Sequence, residues 1–474
     1  MNNEQEIAMY RETGLTPFQA RLVVDVLGTT IPARHLLVAS VGTGKTRAAM
    51  FLAKRIAAEN PHHRILVIGP RALTSLYDYE LKQILPESRI LLTTRRSLRE
   101  LEANRKKGTP LWPTPAIVVM SMDTARQDDG LRELCSTTWD LVIVEEVHQY
   151  GRARWTLLKT ILKEECFKRV LMMTATPELK PIAALLKGVP RTEWRLPDLE
   201  GWDGKRLFPD RQIRLSTVAY RRSDAEIELL KNLVALTSVL SPNSAGQLTR
   251  RILLKQASSS PLALEQTIRR LRNSLAHGVS DFLSLPGIEA LDEDVEADTS
   301  SASSRTIWQD RAAAFAALTN LIEQTESLTT DRKREAFEAL LARLRVEGRS
   351  ATPRTCVFSV ARATANFLRS TVAGRGNKAW LLTSDQTAGE LQVSLQGFMN
   401  EGGVLVCTAI ALQGFDLRGV EAFVHYDPPG SAAEMHVRVS RGVDATHYLL
   451  KDESKVLPDE WAIATPAEQK PRGA

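Results

Sequence analysis

Between residues 15 and 180, short apolar runs alternate with stretches whose apolar positions recur every three or four residues. The runs His35–Ala39, Ile65–Gly69, Ala116–Met120, Leu141–Val144 and Val170–Met173 are rich in Val, Ile and Leu, and most lack polar alternation. Such runs predict strands buried on both faces, and therefore a parallel sheet. With helical periodicity between them, a doubly wound α/β domain is the economical arrangement. The pattern then changes. Ser223–Leu240 carries apolar residues at helical spacing, and Ser260-Pro261 opens a further helix, with Ser as N-cap and Pro at the first helical position. Leu264, Ile268, Leu271 and Leu275 form its stripe, and Gly278 can end it. The acidic, Ser-rich stretch Glu289–Ser304 has too little apolar content for a core and reads as a linker. Helix is expected again over Ile307–Thr325 and Asp331–Val346. Strand-like runs return at Thr355–Ser359, Ala379–Thr383, Val404–Cys407 and Ala422–Tyr426, which predicts a second, smaller α/β unit. The expected division is residues 1–200 for the first lobe and 201–328 for a helical insert, with the linker near 289–304. Residues 329–474 form the second lobe.

A chain of 474 residues is too long for one compact core. Hydrophobic content of 43% and charged content of 25% are ordinary for a globular protein. The net charge of +6 and pI of about 9.1 fit a nucleic-acid partner without establishing one. Cys135, Cys166, Cys356 and Cys407 are far apart in sequence and form no CxxC pair. That argues against a disulfide scaffold or a zinc site, and for a reducing cytoplasm. The N-terminal MNNEQEIAMYRETG is polar, unlike a signal peptide. No apolar run approaches the roughly 20 residues of a membrane span, so no membrane partner is expected.

The strongest chemical signal is Ala39-Ser40-Val41-Gly42-Thr43-Gly44-Lys45-Thr46. It follows an apolar strand and precedes an apolar-periodic helix, the context a phosphate-binding loop requires. Gly42, Thr43 and Gly44 let backbone N–H groups turn toward phosphate oxygens, and the helix N-terminus adds its dipole. Lys45 is placed to reach the β- and γ-phosphates of ATP, and the Thr46 hydroxyl to sit on Mg²⁺. Ala39 stands where the general pattern begins with Gly. A second apolar strand, Trp139–Val144, ends in Glu145 and Glu146. In phosphate-loop enzymes the first such acid holds Mg²⁺ and the second positions the attacking water, so Glu145 is the metal candidate and Glu146 the catalytic one.

With these in order, the chain resembles superfamily 2 helicases and translocases over most of its length outside the insert. Glu145-Glu146-Val147-His148 stands where that family has Asp-Glu-Ala-His or a relative. VLMMTATP at Val170–Pro177 resembles its motif III, ILVIGPRAL at Ile65–Leu73 its motif Ia, and AIVVMSMDT at Ala116–Thr124 its motif Ib. Leu15-Thr16-Pro17-Phe18-Gln19 resembles the Q motif, whose Gln contacts adenine. The same residues also form a capping box, from Thr16 as N-cap to Gln19. Thr355–Ala361 resembles motif IV, and the segment from Thr408 to Leu417 resembles motif V. Arg438 and Arg441 match the arginines of motif VI, while Glu434 and Val437 depart from its Gln and Gly. The resemblance implies an α/β fold with two RecA-like P-loop lobes, a helical insert between them and ATP held between the lobes. It casts His148, Thr174, Thr176, Gly414 and Asp416 as residues that couple nucleotide to nucleic acid. Arg438 and Arg441, three apart and so on one helix face, become candidate arginine fingers. Arg71, Ser121 and Thr408 become candidate contacts to the nucleic acid.

Within the superfamily the chain looks most like bacterial Swi/Snf-type translocases. The Pro-Arg-Ala-Leu of motif Ia, the helical segment Leu253–Leu275 and Tyr426-Asp427-Pro428-Pro429 carry that likeness. It implies a double-stranded DNA translocase or helicase, with other subunits of a defence or DNA-processing complex as conjectural partners. Two other readings stay open: an RNA helicase of the same superfamily, and a nucleotide-gated DNA-binding subunit with little ATPase activity. Glu145 lengthens the usual Asp by one methylene, and Mg²⁺ demands near-ideal octahedral geometry, so slower turnover is one expectation of the substitution.

Overall fold

The computed structural model describes residues 3–40, 42–105, 109–126, 128–149, 152–175, 183–208, 214–277, 307–347, 353–383, 386–408, 417, 419–429, 435, 438–439 and 445–457. Packing divides the chain into two units, Met1–Arg211 and Gln212–Ala474.

The first unit is built on seven parallel strands: β1 (Ala33–Ala39), β2 (Arg64–Gly69), β3 (Ile90–Thr93), β4 (Ala116–Ser121), β5 (Trp139–Val144), β6 (Phe167–Thr174) and β7 (Arg191–Trp194). Their order is β3-β4-β2-β5-β6-β1-β7. The five strands expected from apolar runs are the five interior ones. The two edges, β3 and β7, were not expected: RTEW of β7 has no apolar run, and the run of three in ILLT of β3 is short. Interior residues alternate between two cores. Ile65 and Val67 of β2 pack on one face, Leu66 and Ile68 on the other. All strands point the same way, so the ends of β1, β2, β4, β5 and β6 lie along one carboxyl edge, where ligands bind in open α/β sheets.

The second unit has six parallel strands: β8 (Arg214–Tyr220), β9 (Thr355–Ser359), β10 (Ala379–Leu382), β11 (Val404–Thr408), β12 (Ala422–His425) and β13 (Thr446–Asp452), in the order β10-β11-β9-β12-β13-β8. The segment 201–328, read as a helical insert, thus contributes β8 to the edge of this sheet. Its alternating burial leaves no apolar run to reveal it. Most of the rest of that segment is helical where described: Asp224–Leu236, Ser244–Ser259, Pro261–Ala276 and Arg311–Ser327. These helices bury Leu229, Leu233, Leu253, Leu264, Leu271 and Leu318 in a core of their own. Ser260 caps the helix Pro261–Ala276 as expected, its Oγ accepting from the N–H of Ala263 at 3.1 Å. The linker expected near 289–304, and Gly278, lie outside the described residues.

A buried ion pair ties these helices to the sheet. Lys333, on the helix Arg332–Glu347, donates to Oδ1 of Asp427 and to the carbonyl of Ser258, each at 2.6 Å. Asp427 Oδ2 accepts from Ser259 Oγ at 2.7 Å, Ser359 Oγ at 2.9 Å and the N–H of Val360 at 2.8 Å. The Lys333 ammonium also lies 4.4 Å from the centre of the Tyr426 ring.

Cysteines remote in sequence are neighbours in space. Cys135 and Cys166 approach to 3.7 Å, and Cys356 and Cys407, on the paired strands β9 and β11, to 3.6 Å, all four as free thiols. Sequence separation hid these approaches: strand register sets the second, and the packing of the helix Asp128–Cys135 beside the start of β6 sets the first.

His425 and His447 form a second buried pair, Nε2 to Nδ1 at 3.1 Å, among the rings of Phe358 and Phe423. Their other nitrogens, His425 Nδ1 and His447 Nε2, are buried without a hydrogen-bond partner. Burial depresses both imidazoles, aided at His425 by the charge of Arg438, and sets His447 at about 4. The unfolded chain therefore takes up protons that the fold refuses, and stability falls as pH drops from about 6.5 toward 4. His447 alone accounts for roughly 3 kcal/mol across that window. Urea unfolding at pH 7 and pH 5 checks this. A His447→Phe variant is expected to lose much of the difference, and an unchanged difference would refute the assignment.

Candidate active site

Strand β1 delivers its chain end into the loop 40–44. Thr43 closes a turn there, its Oγ1 donating to the Ser40 carbonyl at 2.8 Å. Gly44 then begins the helix Lys45–Glu59 with φ of 76° and no side-chain cap. The first-turn N–H groups are thus left for a ligand or water, beside the positive end of the helix dipole. Gly44 suits this position because its backbone is left-handed, and a Cβ there would lie 2.4 Å from Gln19 Nε2, displacing that amide from the loop.

Gln19 is buried, and its amide is engaged at both ends. Oε1 accepts from the N–H of Thr16 at 3.0 Å, completing the capping box, while Nε2 donates to the carbonyls of Thr43 at 2.9 Å and Gly44 at 3.3 Å. The side chain therefore clasps the loop as well as capping its own helix. Adenine recognition by Gln19 requires that these bonds be shared or exchanged.

At the end of β5 the Glu145 N–H still donates to the Ile68 carbonyl at 2.8 Å, continuing the ladder. Glu146 follows with φ of 49°, a left-handed conformation uncommon for a residue with a side chain. The turn sends the two carboxylates to different partners. Glu146 Oε1 pairs with Lys45 Nζ at 2.8 Å. Its Oε2 lies 3.3 Å from His148 Nδ1 and accepts from the Ala175 N–H at 3.4 Å. His148 Nδ1 also lies 3.0 Å from the Thr174 hydroxyl, so a proton on that nitrogen can serve either oxygen. Lys45, Glu146, His148 and Thr174 form one connected network.

Glu145 is completely buried. Its Oε1 accepts from Thr46 Oγ1 at 3.3 Å and from the hydroxyl of Tyr77. Gly69, at the end of β2, makes room for it: a Cβ there would stand 3.1 Å from Glu145 Cβ. Burial pushes the Glu145 carboxyl up, more than the Lys45 charge pulls it down. Burial also works against the charge of Glu146, but Lys45 and His148 overcome it and hold that carboxyl below the usual range. Glu145 Oε2 is buried with no hydrogen-bond partner. An unpartnered carboxylate oxygen next to the Thr46 hydroxyl is the hard oxygen set that suits a divalent cation such as Mg²⁺.

The structure thus brings together Gly42, Thr43, Gly44, Lys45, Thr46, Gln19, Glu145, Glu146, His148 and Thr174. Ser121 ends β4, but its hydroxyl caps the next turn, accepting from the Thr124 N–H at 3.1 Å, so side-chain contact with a ligand is not its observed use. Thr408 ends β11 in the other unit, with its hydroxyl buried and unpartnered. Arg71 opens the helix Arg71–Ile84; its side chain lies outside the described residues, as do Thr176, Gly414, Asp416 and Arg441. Arg438 is only 1% exposed, donates Nη1 to the Asp427 carbonyl at 2.8 Å, and lies 5.2 Å from the Phe358 ring centre. Tyr77 is the residue the sequence reading missed. It sits one helical turn before the buried Leu81, a spacing that by itself marks only a core-facing aromatic. The only clue was the hydroxyl on an otherwise apolar position.

Residues 12–179 match the family described as type III restriction enzyme, res subunit, and residues 332–445 match the helicase conserved C-terminal domain. Among solved structures, the helicase domain of Pyrococcus furiosus Hef is 17% identical, with a TM-score of 0.47, over 96% of this chain and 98% of that one. Dbp5 of S. cerevisiae, carrying one substitution and bound to RNA and ADP BeF3, is 12% identical with a TM-score of 0.50, over 97% of this chain and 90% of that one. At 12% identity the likeness to Dbp5 concerns the fold alone, and the two parallel-stranded sheets are of the expected α/β class with two RecA-like lobes.

Proposed function

We propose that this chain, which carries the two conserved motor domains of a superfamily 2 helicase, is an ATP-driven motor that tracks along double-stranded DNA. The observation that carries the ATPase part is the network from Lys45 through Glu146 to His148, Thr174 and Ala175. It joins a phosphate-seeking ammonium to an ionised acid, and the acid to the strand end that would sense its state. The γ-phosphate competes with Glu146 for Lys45. Once Lys45 turns to the phosphate, Glu146 is free to accept a hydrogen bond from the attacking water. Thr46 and Glu145 would hold Mg²⁺, which supplies charge neutralisation at the β- and γ-phosphate oxygens. Thr46 suits this role because its hydrogen goes to Glu145, leaving oxygen lone pairs available. Arg441 is proposed as the main arginine finger and Arg438 as a second. Arg71, Ser121 and Thr408 are proposed to meet the phosphate backbone, with Ser121 acting through its main chain. Such grip is nearly blind to sequence and weakens with salt. Thr176, Gly414 and Asp416 are proposed to couple it to the nucleotide.

Support for double-stranded DNA and the Swi/Snf-type reading comes from two of the marks that suggested it. Asp427 of Tyr-Asp-Pro-Pro is hydrogen-bonded to Ser259 in the helical segment Leu253–Leu275, so these are parts of one assembly rather than separate coincidences. Steady-state ATPase assays with duplex DNA, single-stranded DNA and RNA test the proposal. Duplex DNA is expected to stimulate most, and Glu146→Gln to bind nucleotide normally while hydrolysis falls roughly 10²–10⁴-fold. Stimulation by RNA alone would replace the DNA assignment with an RNA helicase. No stimulation above the Lys45→Ala background would leave a nucleotide-gated binding subunit.

A further inference from the structure

We propose that Tyr77 is a positioning residue for the metal-holding acid, fixing the longer arm of Glu145 where the family pattern has Asp. The inference rests on the reading of Thr46 and Glu145 as the Mg²⁺ pair. Three observations carry it. Tyr77 is 1% exposed, and its hydroxyl donates to Glu145 across 68 positions of sequence. The oxygen it holds, Oε1, is the one that also accepts from Thr46, whereas Oε2 has no hydrogen-bond partner. Gly69 lies against the Glu145 Cβ, so the strand end is shaped around this side chain.

A glutamate has one more rotatable bond than an aspartate. Left alone, its carboxylate would sample several positions relative to Thr46. Two donors on Oε1 select one rotamer, and that rotamer leaves Oε2 for the cation. Groups that orient a ligating carboxylate without touching the metal set affinity in this way, and their loss typically weakens metal binding about 10- to 100-fold. The Tyr77 hydroxyl thus supplies the constraint that a shorter acid would not need.

The test is Mg²⁺ dependence, read in two ways in the full chain. Fluorescent ADP binding is titrated with Mg²⁺, and the Mg²⁺ midpoint of ATP hydrolysis is measured alongside. Tyr77→Phe is expected to shift both midpoints upward by roughly 10-fold, with nucleotide affinity at saturating Mg²⁺ close to that of the original protein. In a Glu145→Asp background the shorter arm withdraws from Tyr77, so the added Tyr77→Phe change is expected to shift the midpoint little further. Midpoints unchanged in Tyr77→Phe, or fully additive shifts in the double variant, overturn the proposal. So does a lowered melting temperature with unmoved midpoints, which marks a purely structural tyrosine. Thr46→Ala separates the premise from the inference. If it loses Mg²⁺-dependent binding while Tyr77→Phe does not change, the metal pair stands and Tyr77 falls. If Thr46→Ala keeps an unchanged Mg²⁺ midpoint, the premise and the proposal fall together.

Discussion

Lys45→Ala is expected to lose ATP turnover by at least roughly 10²–10³-fold, the scale seen when one preorganised charge-stabilising donor is removed. It is also expected to lower the melting temperature of the first unit. The second effect follows from the pairing with Glu146. Both side chains are mostly buried, at 14% and 12% exposure, and the Lys45 charge is what overcomes burial to keep Glu146 ionised. Without it, Glu146 keeps only His148 and the Ala175 N–H as partners, and a partly buried carboxylate short of a partner costs about 1–3 kcal/mol. Adding Glu146→Gln should restore much of that stability, because the neutral amide needs no counter-charge. It should restore none of the activity. Thermal melts of the single and double variants, with ATPase assays on each, check both halves. A single variant that melts like the original protein would show that the ion pair is not structural.

Asp427→Ala carries the largest expected stability effect in the second unit. Lys333 is buried beside it, and burial already depresses that ammonium below its ordinary range, with Asp427 as the principal opposing influence. Deleting the carboxylate strands the ammonium and also removes the acceptor for Ser259, Ser359 and the Val360 N–H. Breaking a buried pair on one side costs roughly 3–5 kcal/mol, or a fall of about 10 °C in melting temperature. The helices Ser244–Ser259 and Pro261–Ala276 meet at this point, so protease cleavage within them should rise before the sheet itself unfolds. Asp427→Asn with Lys333→Met should recover part of the loss by removing the stranded charge. A melt unchanged in Asp427→Ala would mean that Lys333 finds another partner.

What could be read in the sequence follows from what each interaction leaves behind in it. Interior strands buried on both faces leave unbroken apolar runs, and β1, β2, β4, β5 and β6 were legible for that reason. The edge strands β7 and β8 are half-exposed and leave no such run, and the three apolar residues that open β3 are too few to stand out. At the site, Lys45, Thr46, Glu145 and Glu146 were legible because strand, loop and helix must occur in a fixed order around them. Tyr77 was not, since its partner is 68 residues away and its helix shows only an aromatic at a core position. A match to a motif identified Arg438 but not its surroundings: the Phe358 ring beside it lies on β9, and the Asp427 carbonyl that it meets lies just beyond β12. Gln19 lay between these cases: the capping box was readable locally, whereas its bonds to the loop depend on how two helices pack.

Those bonds have a consequence for how the loop treats charge. Every peptide unit presents a negative oxygen as well as a positive N–H, and a loop with both exposed would repel an anion as readily as attract it. Gln19 covers the oxygens of Thr43 and Gly44 with its own amide hydrogens. The negative ends of those two dipoles are paired, which lowers the repulsion that an anion at this turn would meet without any added formal charge.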